Sequence, residues 1–111
     1  MMAFPNPLFL RKGSSYLRVR PEDILVLKAE DNYVRMYLHQ QDSVVLYDSL
    51  KNLEERFNNG TFLRVHRGYV INVKALERWD LETNELHLGP YTVPLSRSRR
   101  KALEETLNLL N

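Results

Sequence analysis

Apolar residues recur at every second position along most of the chain, the spacing of strands that turn one face to a core. In SYLRVR, Leu17 and Val19 fall on one face and Tyr16, Arg18 and Arg20 on the other. In NYVRMYLH, Val34, Met36 and Leu38 alternate with Tyr33, Arg35, Tyr37 and His39. The same rhythm predicts strands at 8–11, 24–29, 43–48, 62–66, 69–72, 75–81, 85–89 and 91–95, separated by turn residues at Gln40-Gln41-Asp42, Thr83-Asn84 and Gly89-Pro90. Two segments change period. Leu50, Leu53 and Phe57 stand at helical spacing in 49–57, with Asp48 or Ser49 as cap and Asn59-Gly60 as stop. Leu103, Leu107 and Leu110 do the same in 98–110, with Ser96 or Ser98 as cap. The pattern predicts a mainly β protein of about nine or ten short strands, one short internal helix and a C-terminal helix.

A length of 111 residues suits one domain able to bury its own core, and 43% apolar with 27% charged residues is an ordinary globular mixture. Without cysteine, disulfides and thiolate metal sites are excluded, and a cytoplasmic location is the expectation. No apolar run reaches the roughly 18 residues of a membrane span. Residues 1–7, with Pro5 and Pro7, read as a linker or disordered start before a domain over 8–110.

Net charge is only +2, but the charges are sorted. Acids gather at Glu22-Asp23, Glu30-Asp31, Glu54-Glu55, Asp80 to Glu85 and Glu104-Glu105; bases gather at Arg64 and Arg67 and again at Arg97, Arg99, Arg100 and Lys101. A nearly neutral chain of this kind can still present a basic face. The last cluster crowds the start of the predicted C-terminal helix, where each exposed cation costs roughly 0.3–1 kcal/mol against the macrodipole. An anion there would reverse that sign; a solvated basic turn is the alternative. FLRVHRGYVIN (62–72) carries the other cluster on a strand pattern. Its guanidinium groups suit phosphate or guanine edges, whereas His66 is equally read as a hydrogen-bonded strand residue and Asn72 as a backbone cap. Asn32 and Tyr33 fall at a loop between two strands, placed to read base edges or to close the turn. Catalysis finds little support: there is no nucleophile elbow and no phosphate loop, and His39, His66 and His87 are scattered without metal-ligand spacing. No enzyme activity, catalytic residue, metal or cofactor is expected.

FLRVHRGYVIN, followed by VKALERW and VPLSRSRRKAL and preceded by EDILVLKAEDNYVRMYL and SLKNLEERF, resembles the LytTR DNA-binding domain of bacterial transcription and response regulators over about residues 8–110. The resemblance implies consecutive short antiparallel sheets whose loops, rather than a recognition helix, enter successive major grooves of double-stranded DNA. It implies base reading by Asn32, Tyr33, Arg67 and Arg97. Arg64, His66, Lys74, Arg99 and Arg100 become phosphate-contacting candidates on their charge and placement. Position 68 departs from the pattern, holding Gly where relatives usually carry a small hydroxyl residue. The expected partner is DNA with paired direct repeats, bound by a weakly self-associating monomer. At this length the chain is read as a stand-alone regulator or the C-terminal domain of a longer two-component regulator, without a membrane segment. Two other readings fit the residues alone: an all-β interaction module docking an acidic partner along a strand edge, and a single-stranded nucleic-acid binder stacking bases on its tyrosines.

Overall fold

The computed structural model describes residues 6–57 and 60–111. The expected stop at Asn59 and the first five residues of the expected linker lie outside them. The predicted strands all form: β1 (Phe9–Lys12), β2 (Ser15–Arg18), β3 (Ile24–Glu30), β4 (Tyr33–Leu38), β5 (Val44–Leu46), β6 (Phe62–His66), β7 (Tyr69–Asn72), β8 (Arg78–Asp80), β9 (Glu85–Leu88) and β10 (Tyr91–Pro94). They make three antiparallel sheets: a β1-β2 hairpin, a central sheet ordered β5-β4-β3-β7-β6, and a meander ordered β10-β9-β8. The fold is mainly β, as the periodicity and the resemblance both imply.

The central sheet is buried on both faces in its middle, which is why ILVL at the start of β3 is a continuous apolar run rather than an alternating one. A register shift between Ile24 and Val26 breaks strict alternation. Leu25 and Val26 therefore join one core, while Ile24 and Leu27 join the other. The first core packs Val34, Met36, Val70 and Phe62 against Leu50 and Leu53 of α1 (Leu50–Arg56) and Phe57 at its C-terminal cap. The second packs Val65 and Ile71 against Leu86, Leu88, Val93 and Leu103, the last from α2 (Arg100–Thr106). The cap of α1 is Ser49, whose Oγ accepts the Asn52 N–H at 3.1 Å, while Asp48 accepts the Ser49 N–H at 2.7 Å.

Some expectations are corrected. The C-terminal helix runs over 100–106, not 98–110. Arg97–Arg99 form a 3₁₀ turn instead, because Ser96 is tied to β6 by its own N–H, and neither Ser96 nor Ser98 caps a helix through its side chain. At the other end Thr106 Oγ1 turns back to the Ala102 carbonyl at 2.7 Å, and Leu107 is extended. Leu103 is buried and Leu107 half-buried, but Leu110 is 91% exposed: the apolar stripe outruns the surface available to it. The expected strand over 75–81 shrinks to 78–80 because Val73–Ala75 form another 3₁₀ turn. No helix among the described residues is long and apolar enough to cross a membrane.

Candidate nucleic-acid interface

Antiparallel pairing of β3 with β7 sets Lys28 opposite Tyr69, so the end of β3 lies beside the start of β7. Two tight turns therefore share one end of the central sheet. The β3–β4 turn is closed by the Glu30–Tyr33 pair and the β6–β7 turn by the His66–Tyr69 pair. The Ala29 N–H donates to the Gly68 carbonyl at 2.9 Å and ties them together. With strands about 4.8 Å apart, adjacent hairpin tips stand roughly 10 Å apart. A third segment joins them: the Ser96 N–H donates to the Val65 carbonyl at 2.9 Å, fixing the Arg97–Arg99 turn along the β6 edge. Val65 lies in the β-bulge between Arg64 and His66, the kind of irregularity that re-aims neighbouring side chains.

These turns hold the residues singled out from the sequence, and the side chains divide into two groups. Asn32, Arg67 and Arg97 are exposed, and their side chains make no hydrogen bond or ion pair among the described residues. Their neighbours are engaged. The Tyr33 hydroxyl donates to Glu30 Oε2 at 3.0 Å, and its ring meets Tyr47 edge-on. Arg35 Nε donates to Glu30 Oε1 at 3.0 Å and Nη1 to Ser43 Oγ at 3.0 Å. The Arg35 guanidinium above all, with help from the Tyr33 hydroxyl, holds the Glu30 carboxyl below the usual carboxylate range. Glu30 is thus anionic but paired, leaving Asp31, with φ of 42°, as the exposed acid of that turn.

In the FLRVHRGYVIN motif, Arg64 is held inward. Its Nε donates to the His66 carbonyl at 2.9 Å, Nη1 to Glu54 Oε1 at 3.1 Å and Nη2 to the Arg67 carbonyl. His66 Nδ1 accepts the Gly68 N–H at 3.0 Å, so the neutral ring carries its proton on Nε2, and the half-buried ring meets Tyr69 edge-on. Gly68 has no positive φ, and a Cβ built there meets only His66 Nδ1 at 3.6 Å. The turn does not demand glycine. Asn72 is buried and structural: its amide donates to the Ile24 carbonyl at 2.9 Å and its Oδ1 accepts the Lys74 N–H at 3.0 Å.

The remaining cations are not all brought together. Arg99 is half-buried in the third turn. Arg100 opens α2, lies over the Trp79 ring at 5.4 Å and approaches Glu104 at 3.7 Å. That seven-residue helix is too short to present the strong terminal dipole expected for it. Lys74 follows β7 at the opposite end of the sheet, where it lines an open cleft with Glu22, His39 and Glu77. Sequence reasoning missed Glu54, whose pairing with Arg64 crosses a loop that no periodicity reports. It also missed Tyr47, 88% exposed beside Tyr33. No group of three or more potential metal-ligating side chains occurs among the described residues.

Comparison with known proteins adds a family. The sequence model described as the LytTr DNA-binding domain matches residues 14–108. The sensory transduction protein LytT of Bacillus subtilis (strain 168) is 29% identical over 108 residues, taking in 94% of this chain and 44% of that protein. The chain therefore spans less than half the length of that relative. Among solved structures, the LytTr DNA-binding domain of a putative methyl-accepting/DNA response regulator from Bacillus cereus superposes with a TM-score of 0.78 at 20% identity. That match covers 93% of this chain and 97% of the other, and supports the fold.

Proposed function

The chain belongs to the LytTR DNA-binding domain family, and from that membership we propose that it binds double-stranded DNA sequence-specifically in the control of transcription, its turns reading successive major grooves. One observation carries the reading. Asn32 and Arg67 sit on two turns at one end of the central sheet and Arg97 on a third tied to its β6 edge, all exposed and without a side-chain partner among the described residues, while Glu30, Tyr33, Arg35 and Arg64 beside them are paired. An Arg fork suits guanine O6 and N7, and an Asn amide suits adenine N6 and N7. Tyr33, whose hydroxyl is held by Glu30 and whose ring lies 5.8 Å from the Arg35 guanidinium, supports the first turn rather than offering a free phenol.

Phosphate contacts would position the domain and give salt-sensitive affinity. His66 through Nε2–H and Arg99 beside Arg97 are best placed for them. Arg100 shares its charge with Glu104 and contributes less. Lys74, at the far end of β7, contributes least of the candidates first drawn from charge. The tyrosines do not form a stacking track for single strands, since Tyr37 packs on Tyr91 at 4.7 Å and Tyr16 stands on the separate β1-β2 hairpin. Paired direct repeats occupied by weakly associating monomers complete the proposal.

Fluorescence anisotropy over a salt series tests it, using a duplex selected from a random pool, its scrambled counterpart and the corresponding single strand. Affinity should favour the selected duplex and fall steeply with salt. Arg97→Ala should lose about 1–3 kcal/mol of discrimination at one base step. Salt-independent binding that ignores duplex and sequence would overturn the function; an unchanged selected-to-scrambled ratio in Arg97→Ala would remove that residue's reading role.

A further inference from the structure

Arg64 is a phosphate candidate on its charge and placement in the sequence, yet its guanidinium is spent inside the protein. One planar fork holds three acceptors: the His66 carbonyl at 2.9 Å, the Arg67 carbonyl, and Glu54 Oε1 at 3.1 Å. Two of these belong to the backbone of the turn that presents Arg67, and the third to α1, which is packed into the first core through Leu50 and Leu53. The side chain is only 16% exposed. The Arg67 side chain has no partner among the described residues; the His66–Tyr69 pair and the Ala29 N–H bond to Gly68 close the far side of its turn, but the bulge at Val65 interrupts the ladder on the near side. On that near side Arg64 holds the His66 and Arg67 carbonyls, and base reading requires a fixed orientation of the peptide that carries Arg67.

We infer that Arg64 and Glu54 form a positioning clasp that anchors the Arg67 turn to α1, so that Arg64 governs base discrimination without touching DNA. The inference rests on the reading role proposed for Arg67. Arginine suits the task because its donors are fixed in one plane; a lysine ammonium cannot span the three acceptors in the same geometry. Charge predicts the opposite result for Glu54. Removing a carboxylate near a DNA-binding face should tighten binding to every duplex, whereas removing half of a clasp should lower selectivity.

The test compares Arg64→Lys, Arg64→Ala, Glu54→Ala and Arg67→Ala by anisotropy on the selected and scrambled duplexes over a salt series, with hydrogen exchange of the Gly68 amide in the free proteins. Glu54 lies part-exposed on α1, so Glu54→Ala keeps the test intact if Arg64→Ala fails to fold. The clasp predicts faster Gly68 exchange in Arg64→Lys and Glu54→Ala. It predicts a selected-to-scrambled ratio lowered about tenfold in both, as in Arg67→Ala, and an unchanged salt slope. Adding Arg64→Lys to Arg67→Ala should lower the ratio no further. A phosphate role for Arg64 would instead appear as full activity in Arg64→Lys and a slope reduced by about 0.9 in Arg64→Ala, and would overturn the clasp. Unchanged Gly68 exchange would overturn it whatever the DNA does. Faster exchange with an unchanged ratio would do so too. An Arg67→Ala protein that discriminates like wild type would remove the reading role and, with it, the positioning role.

Discussion

Asn72 and Gly68 lie four positions apart in one motif and do opposite things. Asn72 is almost fully buried, and its side chain joins the Ile24 carbonyl on β3 to the Lys74 N–H in the turn after β7. Asn72→Ala would leave both backbone groups without that partner, and should destabilise the protein by about 1–3 kcal/mol in urea denaturation. DNA selectivity per folded molecule should stay unchanged, since the residue is remote from the three turns. Gly68 carries no such load. Its φ is not in the left-handed region, and the space beside it admits a Cβ at ordinary contact distance. Gly68→Ser should therefore leave the urea midpoint nearly unchanged. It also restores the hydroxyl that the resemblance leads one to expect, and should tighten the selected and scrambled duplexes about equally, by roughly 0.5–1.5 kcal/mol for one hydrogen bond. A change in the ratio of the two affinities would show that position 68 reads bases instead. The sequence shows a closing Asn and a missing hydroxyl. Only the structure shows which of them the fold depends on, because Asn72's partner is 48 residues away.

The elements were legible wherever local chemistry determines them. Period-two alternation located the strands, and the cap candidates Asp48 and Ser49, of which Ser49 accepts the Asn52 N–H, located the start of α1. Ser49→Ala should accordingly cost about 1 kcal/mol, read from thermal denaturation. The C-terminal helix was overdrawn because spacing records which residues could share a stripe, not where the sheet surface beneath them ends. The strand reading of 75–77 failed for a related reason: the Val73–Ala75 turn is stabilised by a side-chain bond from Asn72 that no alternation reveals. Two carboxylates at element boundaries give an acid-side prediction. Asp48 is held below the usual range by the Ser49 N–H and then the Asn52 amide. Asp80 is lowered by the Thr83 and Glu82 N–H groups. Since the folded pKa lies below the unfolded one, the unfolded chain binds more protons between the two values and stability rises with pH there. The contribution is complete above the ordinary Asp value of about 3.9 and is lost as pH falls through the folded pKa. Asp80→Asn should make the loss of stability below about pH 4 shallower in urea titrations. Were the slope of the acid limb unchanged, the turn after β8 would not draw on the charge of Asp80.

At the scale of the whole molecule, the central sheet is a partition with a core on each side. β3 supplies Ile24 and Leu27 to one and Leu25 and Val26 to the other; β7 supplies Val70 to the first and Ile71 to the second. That the third strand pairs with the seventh is a non-local fact, invisible to a reading that proceeds window by window. It is also what brings two of the three proposed reading turns together. The order of strands thus links stability to the geometry of the interface, and the two cores should not melt independently. The protein has a single tryptophan, Trp79, packed against the second core. Leu53 lies in the first, on α1. Leu53→Ala removes apolar contacts on one side of the sheet and should lower stability by about 2–5 kcal/mol. If the partition strands couple the faces, Trp79 fluorescence and far-UV circular dichroism will report the same lowered urea midpoint. A Trp79 transition that stays at the wild-type midpoint while the dichroism moves would show that the meander and α2 hold together without the α1 side. The Arg97 turn, tied to the β6 edge by Ser96, would then lose its fixed relation to the Asn32 turn before the protein unfolds globally.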